Sequence, residues 1–126
     1  MYLLNIYAPS GQKFQKEREE LFSKEILYYL RNSLSNTIWG GDFNCIIRES
    51  DTSNKNSSLK SKALDSTVKQ LKLSDAWSEK HDKPAFTYFR ENYGSRLDRL
   101  YLGDFRECIQ DIKVNKLCFS DNSCIR

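Results

Sequence analysis

The stretch Thr37-Ile38-Trp39-Gly40-Gly41-Asp42-Phe43-Asn44 constrains this chain more than any other. A short apolar run reads as a buried strand. Two glycines then allow a tight exit and a close backbone approach at its end. In extended chain, side chains alternate with period two, so Asp42 and Asn44 share a side. One offers a charged oxygen acceptor, the other an amide that both donates and accepts. That combination suits a site holding an attacking water beside a phosphate oxygen. Gly, Asp and Asn are also the commonest turn formers, and a turn accounts for this stretch taken alone.

The flanking chain supplies a context for such a strand. Tyr2 to Tyr7 reads as a strand, closed by the turn chemistry of Ala8-Pro9-Ser10-Gly11. It starts at once, without a preceding cap or loop, as though something belonged before it. The spacing of Phe22, Ile26, Leu30 and Leu34 predicts a helix over about 13–34, with Leu21 and Tyr29 widening its apolar stripe. Strand, helix and strand in that order form a crossover unit. A polar loop is expected over 48–58, near the strand end, and a second helix over about 59–71 with Ala63, Leu64, Val68 and Leu71 inward. Leu73, Ala76 and Trp77 read as a short packed turn. Residues 85–89 and 95–102 read as a hairpin around Glu91-Asn92-Tyr93-Gly94, with Arg96, Asp98, Leu100 and Leu102 on one face. Asp98 in that setting pairs with a cation, Arg96 or Arg99 being adjacent, or does chemistry. Ile112, Val114 and Leu117 suggest a further short strand. The loop Phe119-Ser120-Asp121-Asn122-Ser123 follows, and Cys124-Ile125 could begin another strand.

At 126 residues the chain is long enough for one domain with a real core. A net charge of +3 permits nucleic acid as a partner without requiring it. No apolar run approaches membrane-spanning length, and the polar stretch 13–20 argues against a signal peptide. Cys45, Cys108, Cys118 and Cys124 match no zinc spacing and are too sparse for a disulfide scaffold. They read as reduced thiols of an intracellular protein, nuclear or cytoplasmic. His81, among Lys80, Asp82, Lys83 and Pro84, reads as a solvated surface residue, and Trp39 and Trp77 as core.

Four separated stretches carry a resemblance: Asn5-Ile6-Tyr7-Ala8-Pro9, Gly40-Gly41-Asp42-Phe43-Asn44, Ser95-Arg96-Leu97-Asp98-Arg99 and Ser120-Asp121. In this order they resemble the endonuclease/exonuclease/phosphatase superfamily, of deoxyribonuclease I-like fold. Phe86-Thr87-Tyr88-Phe89 ahead of Ser95–Arg99, with Leu73-Ser74-Asp75-Ala76-Trp77, looks most like the endonuclease domain of LINE-type (non-LTR) retrotransposons. The resemblance implies that residues 1–126 form part of a four-layer α/β sandwich, its C-terminal half, with the N-terminal half missing. An uncovered sheet edge and apolar face would then favour self-association.

The resemblance also implies a chemistry, hydrolysis of a DNA phosphodiester by a Mg²⁺-activated water. Tyr7 would contact the scissile phosphate. Asp42 would orient or deprotonate the water, and Asn44 would hold it together with a phosphate oxygen. Asp98 would orient the histidine of a Ser-Asp-His motif, Asp121 would assist the metal alongside Asp42, and Arg96 and Arg99 would contact phosphate. Two departures stand out. Asn122 occupies the position of the family histidine, and an amide cannot act as a general acid or base. The family's main metal glutamate belongs to the missing half, and Glu49 and Glu79 are misplaced for that role. The expectation is a retrotransposon-type endonuclease remnant with little or no activity. The alternatives are a non-catalytic nucleic-acid-binding module and a phosphatase of the same superfamily. Bland readings also stand beside the individual roles: Tyr7 as core packing, Asp121 as a loop residue.

Overall fold

The computed structural model describes residues 1–32, 36–116 and 123–125. Its centre is strand β2 (Thr37–Asp42), the stretch singled out above. β2 pairs in parallel with β1 (Tyr2–Tyr7), register Tyr2 with Thr37 through Tyr7 with Asp42. On its other side β2 pairs antiparallel with β6 (Asp98–Leu102), running from Ile38 opposite Leu102 to Asp42 opposite Asp98. The short β3 (Ser74–Asp75) closes the far edge, giving the sheet order β1-β2-β6-β3.

The crossover from β1 to β2 is helical over residues 12–30, as the periodicity requires, but it is not one uniform helix. A 3-10 turn (Gln12–Phe14) leads into α1 (Gln15–Glu20), a π-helical segment (Leu21–Ile26) and α2 (Leu27–Leu30). Phe22, Ile26 and Leu30 are buried at the predicted four-residue spacing. Tyr29, expected in the stripe, is 68% exposed, so the buried face is narrower than predicted. Leu34 lies outside the described residues. α3 (Lys62–Gln70) packs beside this crossover. Its N-terminus is held twice: Ser61 Oγ accepts from Leu64 N at 3.0 Å, and Glu19 Oε2 accepts from Ala63 N at 2.9 Å. Ser61 Oγ also donates to Glu19. A carboxylate on free N–H groups at a helix start is favoured by the local dipole. Trp39, Phe22, Phe43 and Tyr101 form the aromatic centre between sheet and helices, ring centroids 4.9–6.2 Å apart.

The predicted hairpin is redistributed. β4 (Tyr88–Arg90) and β5 (Tyr93–Ser95) make a separate two-stranded ribbon, turning at Glu91, which takes a φ of 48°. The expected strand 95–102 breaks at Arg96-Leu97, and its second part enters the main sheet as β6. The break has a cause: Arg96 N donates to Asp51 O at 2.7 Å, while Leu97 N and Asp98 N both donate to Thr87 Oγ1, at 3.1 and 3.0 Å. A second ribbon pairs β7 (Val114–Lys116) with β8 (Ser123–Ile125). Near it, the segment around Ile109 and Ile112 packs on Leu102, Leu100 and Ile38, the face of the sheet turned away from the helices.

Candidate active site

The register places three of the expected residues in one row. Tyr7 lies opposite Asp42 across β1 and β2, and Asp42 lies opposite Asp98 across β2 and β6. Laterally paired residues project to the same face. The row therefore runs across the end of three strands, on the face away from the helices.

Backbone geometry builds this strand end. Gly41 has a φ of 132°, and a Cβ there would sit 2.0 Å from Ile6 O. No side chain fits while β1 and β2 remain this close. Asn44 has a φ of 48°, a left-handed conformation that asparagine adopts more readily than most residues. Its backbone N–H donates to Asp42 Oδ1 at 2.8 Å and its Nδ2 donates to Ala8 O at 2.7 Å. Ala8 N in turn donates to Asp42 O at 2.8 Å, and Phe43 N to Leu97 O at 2.9 Å. Asn44 thus locks the exits of β1 and β2 together and aims the Asp42 carboxylate.

The electrostatics are those of two acids held close. Burial pushes the Asp42 carboxyl above its ordinary range, against the opposing pull of the Asn44 N–H and the Arg99 charge. Asp98 is also pushed up, first by burial and then by the Asp42 charge, with Thr87 and Arg99 pulling the other way. Asp98 Oδ2 is buried without a hydrogen-bond partner, one of few such atoms among the described residues. A buried acceptor without a donor is costly unless something fills its place. Tyr7 is 77% exposed, on the open edge of the sheet, so it is not core packing.

Arg96 and Arg99, expected to face phosphate, are instead buried in ion pairs. Arg96 Nη2 lies 2.6 Å from Asp75 Oδ1, and Arg99 Nη2 lies 3.1 Å from Asp51 Oδ2. Arg99 Nη1 also donates to Cys45 O at 2.8 Å. Their exposures of 6% and 2% leave no path to an external phosphate. Arg99 acts on the row through its charge. Asp51, at the centre of this network, also accepts from Ile47 N and Arg48 N at 3.0 and 2.9 Å. The loop after β2 is therefore anchored by a buried carboxylate that sequence reasoning missed. Asp51 is one acid in a polar stretch with no periodicity to mark it. Thr87, which fixes the approach to Asp98, was visible only as one residue of a strand-like run.

His81 is half-buried rather than solvated, stacked on Trp77 at 3.8 Å, with Nε2 3.1 Å from Ile112 O. Asp121 and Asn122 lie outside the described residues. Among the described residues no group of three or more His, Cys, Asp or Glu side chains could hold a metal ion, and no disulfide occurs, with Cys45 and Cys108 free. Among the described residues no helix is long and apolar enough to cross a membrane.

No protein-family model matches the chain, and no curated protein does. Solved structures do. A 3′-5′ exonuclease, NExo from Neisseria meningitidis, is 18% identical with a TM-score of 0.80, covering 98% of this chain and 59% of its own. A 3′ phosphatase form of NExo from Neisseria, bound to product DNA hairpin, is likewise 18% identical at a TM-score of 0.80, covering 98% and 58%. Truncated Caenorhabditis elegans TDP2 is 20% identical with a TM-score of 0.54, covering 98% and 51%. The likeness bears out the expected deoxyribonuclease I-like fold, and the chain spans less than two thirds of each of these structures.

Proposed function

We propose that this chain is part of a metal-dependent phosphodiesterase domain acting on DNA, of the LINE-type retrotransposon kind, with little or no activity as it stands. The observation that carries this is the row Tyr7, Asp42, Asp98 at the end of a sheet whose fold is shared with a DNA-bound phosphatase. A DNA phosphate brings negative charge to two carboxylates, so a cation must come between them. Mg²⁺ is commonly held by one or two carboxylates plus substrate phosphate and water. Asp42 and Asp98 fit that habit, with the unpartnered Asp98 Oδ2 as a ready acceptor. These two would hold the ion, which when bound neutralises phosphate charge and lowers the pKa of water.

The chain's own residues then divide the work. Asp42, aimed by the Asn44 N–H, orients the attacking water and takes its proton. Tyr7, exposed at the row's open end, donates its hydroxyl to a phosphate oxygen. Asn44 acts as a positioning residue, with one of its two side-chain N–H donors held by Ala8 O. Asp98 extends the acidic site, and the sequence carries Asn122 where the resemblance puts the histidine that Asp98 would orient. Loss of an acid–base group costs about 10²–10⁴-fold in rate, which underlies the low activity proposed. Phosphomonoester hydrolysis is a second reading, favoured by the 3′ phosphatase among the similar structures.

Incubation with supercoiled plasmid and with a 3′-phosphorylated hairpin, in Mg²⁺ or chelator, tests this. Turnover of either substrate no greater than that of Asp42→Ala fits the reading. Robust, Mg²⁺- and Asp42-dependent nicking defeats the low-activity claim, and release of phosphate alone transfers the assignment to the monoesterase.

A further inference from the structure

One edge of the main sheet is open. β1 is six residues long, and among the described residues no strand pairs with its outer side. Natural edges are blunted by short strands, charges, proline or bulges. β3, at the other edge, has two residues and ends in Asp75. β1 has none of these devices. It carries no charged side chain and no proline, and it runs in unbroken register with β2. Exposed apolar side chains gather on or beside it, namely Met1, Tyr2, Leu3 and Tyr7.

The backbone fixes which groups this edge offers. Ala8 N donates to Asp42 O at 2.8 Å, so it points to β2. Ile6 O points the same way, since a Cβ on Gly41 would meet it. Backbone direction alternates along a strand, so the N–H and C=O groups of Leu3, Asn5 and Tyr7 face outward. Their side chains share the face away from the helices, while Ile6 is buried on the helix side. A strand that docks here bonds to residues 3, 5 and 7.

This edge is its own complement. Closed pairs of identical chains meet about a two-fold axis. With the axis normal to the sheet, the two strands run antiparallel and paired residues project to one face. Setting Asn5 on Asn5 of a second copy brings Leu3 onto Tyr7 and Tyr7 onto Leu3. All three outward-facing residues then make hydrogen-bonded pairs, about six backbone bonds at two per pair. No like charges meet, and an exposed leucine covers an exposed tyrosine on each side of the axis. The joined sheet ends in β3 of each copy, too short to template a further strand.

We propose that β1 docks antiparallel on β1 of a second copy of this chain, with Asn5 at the two-fold axis, joining two four-stranded sheets into one. Tyr7 keeps its place in the row, so both rows lie on one side of the joined sheet. The interface stands independently of the catalytic reading.

Sedimentation equilibrium of the full chain should show a monomer–dimer equilibrium that stops at the dimer. Asn5→Lys sets two like charges against each other at the axis, and so does Asn5→Glu. Each variant alone should weaken dimer formation about twofold to fivefold. Mixed in equal amounts they should restore it, because opposite charges then meet. Should the variants fail to fold, amide hydrogen exchange on the native chain decides. Leu3, Asn5 and Tyr7 should be protected at dimeric concentration and exchange freely on dilution, while Leu4 and Ile6 stay protected in both. The assignment is overturned by a monomer at every concentration, by growth beyond a dimer, by single variants that associate as the native chain does, or by a mixture no tighter than either variant alone. Protection of the three outward amides in the dilute monomer overturns it too, since another part of the chain then occupies the edge.

Discussion

Asp51→Asn is the sharpest test of how this fold is held together. The substitution keeps the volume and removes the charge. In the native chain Asp51 bonds Arg99 at 3.1 Å, lies 3.9 Å from Arg96, and accepts the N–H groups of Ile47 and Arg48. Arg99 is 2% exposed, so without Asp51 its charge stays buried with only the Cys45 carbonyl as an anchor. Breaking one partner of a buried pair costs about 3–5 kcal/mol. Against a total of about 5–15 kcal/mol for a domain, that is a large share. With a urea slope of about 1–3 kcal/mol per molar, the midpoint should fall on the order of 1–5 M at unchanged slope. Asp65→Asn is the control: its pair with Lys69 is exposed on α3 and should cost no more than about 0.5 kcal/mol. The deficit should also depend on pH. Burial alone would raise the Asp51 carboxyl, but Arg99, the Arg48 and Ile47 N–H groups and Arg96 together hold it below its ordinary value of 3.8. A depressed folded pKa contributes stability present above the unfolded value and lost as pH falls through the folded one. The difference between wild type and Asp51→Asn should therefore shrink below pH 3.8. A loss under about 1 kcal/mol at neutral pH would refute the claim that this carboxylate anchors the loop after β2.

Asp98→Asn should act in the opposite sense. The folded carboxyl is raised, so its stabilising contribution is present below the unfolded pKa of 3.8 and lost as pH rises. Removing the like charge opposite Asp42 should stabilise the chain by about 0.2–1 kcal/mol at pH 7 and by nothing at acidic pH, read from urea midpoints. Gly41→Ala should prevent folding or cost more than about 3 kcal/mol, because its Cβ meets Ile6 O at 2.0 Å and its φ is 132°. A soluble variant with a wild-type midpoint and circular dichroism spectrum would contradict that geometry. Leu3 and Tyr7 are 72% and 77% exposed on the edge strand β1, which bears no charge or proline. Sedimentation should show the chain self-associating, and Leu3→Lys should reduce that association; a monomer at all concentrations would remove it as a proposal.

Much of this architecture was legible because its signals are local. The run into Gly40-Gly41 gave β2, the four-residue spacing gave the crossover, and strand, helix, strand implied the parallel pairing of β1 with β2. Period two at Asp42 and Asn44 put both at a strand end, but it could not show that Asn44 turns back onto Ala8 O. Long-range partners were not legible. Arg96 and Arg99 looked like phosphate contacts because sequence does not show that Asp51 and Asp75 await them. The 95–102 run looked continuous because nothing local reveals that Thr87 captures two of its amides. Tyr29 fits the helical stripe by spacing, yet it stands exposed, because spacing alone does not show how wide a face the rest of the fold covers.

The central claim is that the Tyr7, Asp42, Asp98 row takes a DNA phosphate through a cation, whatever rate the chain achieves. Affinity for a DNA hairpin, measured by fluorescence anisotropy at fixed ionic strength with Mg²⁺ or with chelator, tests it most directly. The account predicts tighter binding in Mg²⁺ for the wild-type chain and loss of that dependence in Asp42→Asn. Equal affinity with and without Mg²⁺, or a Mg²⁺ effect undiminished in Asp42→Asn, would contradict it.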